Sequence, residues 1–196
     1  MPADRPQQRL SLIEEERMTP EQHTLLASLR SGPRGQALRP RGPFAAWMHA
    51  PEFGQLAQAL GAHARYKTAL SPRLSEFAIL CTASIWKAQY EWFAHAPMAL
   101  KAGVGEASIN ALREGRVPEQ AKDDERAIYD FVAQLYTTRR VSEPVYRRVR
   151  EILGDDAAMV EFVGILGYYA LISMTLNVFH MLPPEAEPLA FAEPEV

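Results

Sequence analysis

RLSEFAILCTASIWKAQYEWFAHAPMALKAGV, residues Arg73–Val104, decides the fold of this chain and carries its chemistry. Leu74, Phe77, Ala78 and Cys81 recur three and four apart, the spacing of one apolar helical face. Ser71 and Pro72 stand just ahead of them as N-cap and first-turn proline, so a helix is predicted to start there. A second helix follows over 88–102, closed by Gly103. Into these apolar surroundings the sequence sets three acid–base groups, Glu76, Glu91 and His95, beside a single cysteine, Cys81.

Glu91 and His95 lie one helical turn apart and share a face, with Lys87 a further turn back on the same stripe. A carboxylate beside an imidazole fixes its tautomer and raises its pKa toward neutrality or above, which suits it to pass protons. Glu76 is flanked by Leu74, Phe77, Ile79 and Leu80, and burial there would make it a working acid or base near pH 7. Pro97 removes a backbone hydrogen bond and is expected to bend the helix at Phe93–Ala94, opening a pocket. Tyr90 and Trp92 are candidates for substrate contact, and Lys87, or an arginine from a neighbouring subunit, for holding a substrate carboxylate. Each residue also has a plainer reading. A Lys–Glu–His ladder is commonly a solvated face, a Glu in an apolar run the edge of an amphipathic helix, and a tryptophan part of a core.

Outward from this stretch the chain reads as helix after helix. Phe44, Trp47 and Met48, then Phe53, Leu56, Ala57 and Leu60 ended near Gly61, precede it. Ser108 and Leu112, Ile128 to Leu135, Val145 to Ile152, and Ala157–Met181 stopped by Pro183–Pro184 follow it. No strand alternation of useful length interrupts them, so the fold class is all-α. Residues 1–43 read as a Pro/Gly-rich arm with one short helix, capped by Thr19, Pro20 and Gln22 and stopped at Ser31–Gly32. Residues 44–182 form the helical domain and 183–196 a polar tail. The final helix is apolar nearly all round, which implies burial on all sides, and its Gly164 and Gly167 are costly unless they permit close packing; a subunit interface or a central place in the fold would explain both.

With 196 residues, 47% apolar and 23% charged, the chain has the balance of an ordinary soluble domain. A net charge of -3 with arginines interspersed among acids argues against nucleic acid as a partner. The polar start MPADRPQQRL shows no signal peptide, and the run Phe162–Met174 is too short for a membrane span, so a cytoplasmic location is expected. One cysteine allows no intramolecular disulfide. The histidine spacing offers no third ligand to join Glu91 and His95, so no metal is expected. Neither a GxSxG elbow nor a GxGxxG or phosphate loop occurs, so no nucleotide cofactor is indicated.

The pattern LSPRLSEFAIL, then YEWFAHAPMA, then AGV and a short helix ending in LREG resembles the carboxymuconolactone decarboxylase and alkylhydroperoxidase-D (AhpD-like) superfamily over Ala59–Val117. Gly167–Phe179 also resembles the tail of longer members. The resemblance implies an AhpD-like helical bundle, homo-oligomeric as dimer, trimer or hexamer, with sites near subunit interfaces. Its peroxidase branch carries C-x-x-C-x-x-x-H and a glutamate in the preceding helix as a proton relay. His95 matches the motif histidine and Glu76 the relay glutamate, but Ala88 and Glu91 occupy the cysteine positions. Dithiol chemistry needs a thiolate attacker and a resolving thiol, so the departure points to the decarboxylase side, which works without metal or organic cofactor. The expected function is a cofactor-free acid–base enzyme on a small organic acid or lactone, with His95 as acid, Glu91 orienting it and Glu76 relaying protons. A non-catalytic oligomer that binds a ligand or partner is the alternative. Single-thiol peroxidase chemistry at Cys81 is the third reading.

Overall fold

The computed structural model describes residues 5–33 and 35–194. Among them the chain forms nine α-helices and one 3-10 turn, with no strand. They are α1 (Pro20–Ser31), α2 (Pro43–Trp47), α3 (Pro51–Tyr66), α4 (Pro72–Trp86), α5 (Gln89–Lys101), α6 (Glu106–Arg113), α7 (Asp123–Thr138), α8 (Glu143–Leu153) and α9 (Asp156–Val178).

The centre of the molecule is α4. Ser71 accepts from the backbone of Leu74 and Pro72 opens the first turn, as the sequence predicts. From Leu74 to Ser84 every residue but Glu76 is buried. Small side chains such as Ala78, Cys81 and Ala83 let α5, α6, α7 and α9 pack around this one rod. Two of its buried hydroxyls are satisfied within the helix or across it: Thr82 donates to Ala78 O at 3.1 Å, and Ser84 to Leu112 O on α6. Arg73 at the open end pairs with Asp124 and the buried Glu125, tying α4 to the start of α7.

The N-terminal segment is more than an arm. Thr19 and Gln22 form the expected capping box around Pro20, and the helix it starts buries Leu25, Leu26 and Leu29 against α3. Those three leucines belong to the same core as α4. The tail also differs from a free polar segment. Gln89 donates to Phe191 O at 2.8 Å and its own oxygen accepts from the backbone of Ala190 at 2.9 Å. Phe191 packs edge-on against Trp92 at 5.2 Å.

The glycines differ in what surrounds them. α3 runs past Gly61 to Tyr66, and Gly61 lies where a side chain would strike the Tyr168 hydroxyl of α9. Gly164 and Gly167, expected in close contacts, have nothing within 4 Å of where a side chain would begin and face outward with Val160, Val163 and Met174. α9 itself is 23 residues, longer than its most apolar run, and is long and apolar enough by length and composition to cross a membrane. Half of that span is buried against other helices of the fold.

Gly61→Ala is therefore expected to lower stability by about 1–3 kcal/mol through overpacking. Tyr168→Phe in the same chain, which removes the oxygen nearest the added methyl, should recover part of the loss. Thermal unfolding of the two variants measures both effects.

Candidate functional site

Three helices bring the acid–base groups together. α4 runs toward a tight turn at Lys87 and Ala88, and α5 returns alongside it, so Glu76 faces His95 although 19 residues separate them. The imidazole Nδ1 lies 2.6 Å from Glu76 Oε2, and Nε2 lies 3.0 Å from Glu91 Oε1 one turn back. His95 and Glu91 are buried, and Glu76 keeps a narrow exposure of 12%. α9 closes the far side, with the Tyr169 ring edge-on to the imidazole at 5.1 Å. Glu91 occupies the first turn of α5, where the helix N-terminus favours a negative charge.

A ring with carboxylates at both nitrogens can satisfy both only by donating twice, which requires the imidazolium. Burial pulls the His95 pKa down, but the Glu91 charge and the hydrogen bonds to Glu76 and Glu91 outweigh it and raise the pKa to about 9. The site thus stores a proton through the neutral range. Burial pushes the Tyr169 phenol well up, with Glu91 adding to the effect, so the hydroxyl stays protonated. Among the described residues no group of three His, Cys, Asp or Glu side chains is placed to hold a metal ion. Glu76 and Glu91 sit on opposite nitrogens of the ring, an arrangement that separates the possible ligands.

The structure brings Glu76, Glu91 and His95 together and disperses the rest. Lys87 does not join the α5 stripe. It ends α4 in the left-handed conformation, φ 51°, and its Nζ lies 5.0 Å from the Phe191 ring centroid. That positive φ takes the side chain out of the helix on which its spacing had placed it. Trp92, expected to meet substrate, is buried against Phe191 and belongs to the packing. Tyr90 is half-buried and lines a cavity between the N-terminal segment and the tail, with Arg41 and His180. α5 continues through Pro97 to Lys101, close to the extent that the sequence predicts. Ala88 and Glu91, at the cysteine positions of the resembled motif, are both buried.

Two neighbours of the cluster escaped the sequence reading. Tyr169 sits in an apolar run where nothing marks one aromatic from the next. Arg65, at the end of α3, donates to Met98 Sδ at 2.6 Å, one turn beyond His95, and its charge is felt at Tyr169. Only the approach of α3 to α5 places that cation there.

Residues 51–134 match the family model of the carboxymuconolactone decarboxylase family. The chain is similar in structure to the alkylhydroperoxidase AhpD core of an uncharacterized peroxidase-related protein from Ralstonia eutropha JMP134, with a TM-score of 0.75 at 16% identity. That alignment covers 92% of this chain and 94% of the other. An uncharacterized peroxidase-related protein from Silicibacter sp. TM1040 gives a TM-score of 0.70, again at 16% identity, over 94% of each chain. At such identity the likeness is one of fold. No curated protein sequence matches the chain.

The His95 pKa of about 9 in the fold stands above the ordinary 6.5, so its contribution to stability is complete below about pH 6.5 and lost as pH rises through about 9. The stability difference between wild type and His95→Gln should therefore shrink over that window. Thermal unfolding at pH 6 and pH 9.5 tests this, and an equal difference at both would mean a ring that is neutral throughout.

Proposed function

We propose that this carboxymuconolactone decarboxylase-family domain, at residues 51–134 of an AhpD-like helical fold, serves as a cofactor-free acid–base catalyst on a small organic acid or lactone. The observation that supports it is the imidazole of His95 held between Glu76 and Glu91 in a nearly closed site. In a decarboxylation the bond from ring carbon to carboxylate breaks, its electron pair stays on carbon, and CO2 leaves. The carbanion then takes a proton. Both imidazole nitrogens face carboxylates, and Glu76 is the most exposed member, so the proton leaves the cluster through Glu76 and is restored from His95. Glu91 keeps the ring oriented. Arg65 takes the role expected of Lys87 and holds the substrate carboxylate, since its guanidinium contacts the thioether of Met98, the residue one turn along α5 from His95.

The names of the structural relatives support a peroxidase reading as the competitor. Against it stand Ala88 and Glu91 at the dithiol positions and the burial of Cys81, which pushes its thiol pKa up and keeps the nucleophilic form scarce. The tight closure of the cluster favours the other alternative, a homologue that binds a ligand or partner without turnover.

We also propose that the outward face of α9 seats a second copy of this chain. Leu56, Leu60 and His63 continue that face onto α3, and His63 pairs with Glu161 of α9 at 3.5 Å. The paired helices thereby present Val160, Val163 and Gly164 beside the leucines as one apolar patch, with glycine allowing close approach.

Carboxylated lactones are the substrates to test, with CO2 release as readout. His95→Ala should lower kcat by about 10²–10⁴-fold, and equal rates for both proteins would remove His95 from the mechanism. Arg65→Gln should raise KM by about tenfold while kcat changes little. The rate should fall as pH climbs through about 9, where His95 loses its proton. For the assembly, Gly164→Arg should reduce the mass seen by light scattering to that of one chain; a wild type already of that mass contradicts the proposal.

A further inference from the structure

A second cavity, of about 300 Å³, opens between α4, α6 and α7, away from the acid–base cluster. Cys81, Leu112 and Val132 form its apolar floor, and Tyr129 stands in its wall. Burial holds the Cys81 thiol neutral, so the floor carries no charge. The mouth is cationic. Arg116 is already neutralised by Glu114, 2.7 Å from its Nε. Lys87 has no carboxylate partner among the described residues: its ammonium rests over the face of Phe191, and it lies 3.7 Å from the position a side chain would take at Gly115.

Two backbone features fix that ammonium at the rim. The left-handed turn at Lys87, with its N–H bonded to the α4 carbonyls of Ala83 and Ser84, turns the side chain away from α5. Gly115, at φ +70°, leaves the opposite lip without a side chain. A largely apolar chamber of this size, at the lower end of ligand-site volumes and with the Lys87 ammonium at its entrance, has the shape of an acid-binding site.

We propose that this chamber binds a small monocarboxylate with a compact apolar body, its ring or alkyl part against Cys81 and Leu112 and its carboxylate at Lys87. The site is separate from the His95 cluster, and the proposal stands whether or not that cluster is catalytic. Lys87, whose place in the acid–base stripe the fold denies, thereby has a role of its own.

The probe is 2-naphthoate, titrated by its fluorescence and by calorimetry into the full chain, with neutral 2-naphthalenemethanol in parallel. Wild type should bind 2-naphthoate with a Kd below about 1 mM. Lys87→Met should weaken the acid by about fivefold and leave the alcohol unchanged. Ala133→Trp, which fills the chamber, should abolish both, and Ile85→Trp at the exposed rim supplies the same test should the first variant not fold. His95→Ala should alter neither. Absence of binding to wild type at about 1 mM overturns the proposal. So does binding that survives both tryptophan variants, or equal weakening of acid and alcohol by Lys87→Met.

Discussion

A helical stretch with no face for water must be covered on every side, and Leu74–Ser84 of α4, buried at every residue but Glu76, is such a stretch. Its burial obliges α5, α6, α7 and α9 to surround it and fixes where each of their side chains points. It also creates the chemical problem at the heart of the molecule. Glu76 is the one residue of Leu74–Ser84 that is not buried outright, and a carboxylate at that depth needs a hydrogen-bonding partner. His95 answers that need, and its second nitrogen then calls for Glu91. The acid–base cluster is therefore part of the same constraint that builds the core, and each carboxylate is stabilised by its own N–H of the charged ring between them.

Much of this was legible in sequence because it depends on short-range spacing. The apolar repeats of α4, the Ser71–Pro72 start, the Thr19–Gln22 cap and the one-turn offset of Glu91 and His95 are local facts that the fold preserves. The pairing of Glu76 with His95 came instead from resemblance, since it joins residues on different helices. Lys87 shows where helical spacing fails. Counting back in fours from His95 assumes that the helix continues, but a left-handed residue ends α4 there and α5 begins only at Gln89. Arg65 and Tyr169 were hidden for a different reason: their proximity to the cluster depends on how α3 and α9 lie across α5, which local periodicity does not encode.

The segments outside the central helices teach the same lesson about composition. Proline and glycine between Arg30 and Pro43 suggested an appendage, yet the leucines of α1 complete the core. Gly61, Gly164 and Gly167 look alike in sequence and serve opposite ends: the first makes room for Tyr168 inside the fold, while the other two lie open on its outside. Residue type states what backbone or space is permitted; only the packed neighbour decides how it is used.

The clamp of Gln89 on the backbone of Ala190 and Phe191 bears on the order in which the molecule assembles. One carboxamide accepts and donates to the passing chain much as a neighbouring strand would, across 102 residues of sequence. The helices α4 and α5 are close along the chain and pair early at small entropic cost, whereas this closure spans more than half the protein. Phe191 supplies the ring that covers Trp92, so the packing beside Ala88 is complete only when this distant segment has docked. The contact of longest sequence separation thus closes over the turn that joins the two acid–base helices.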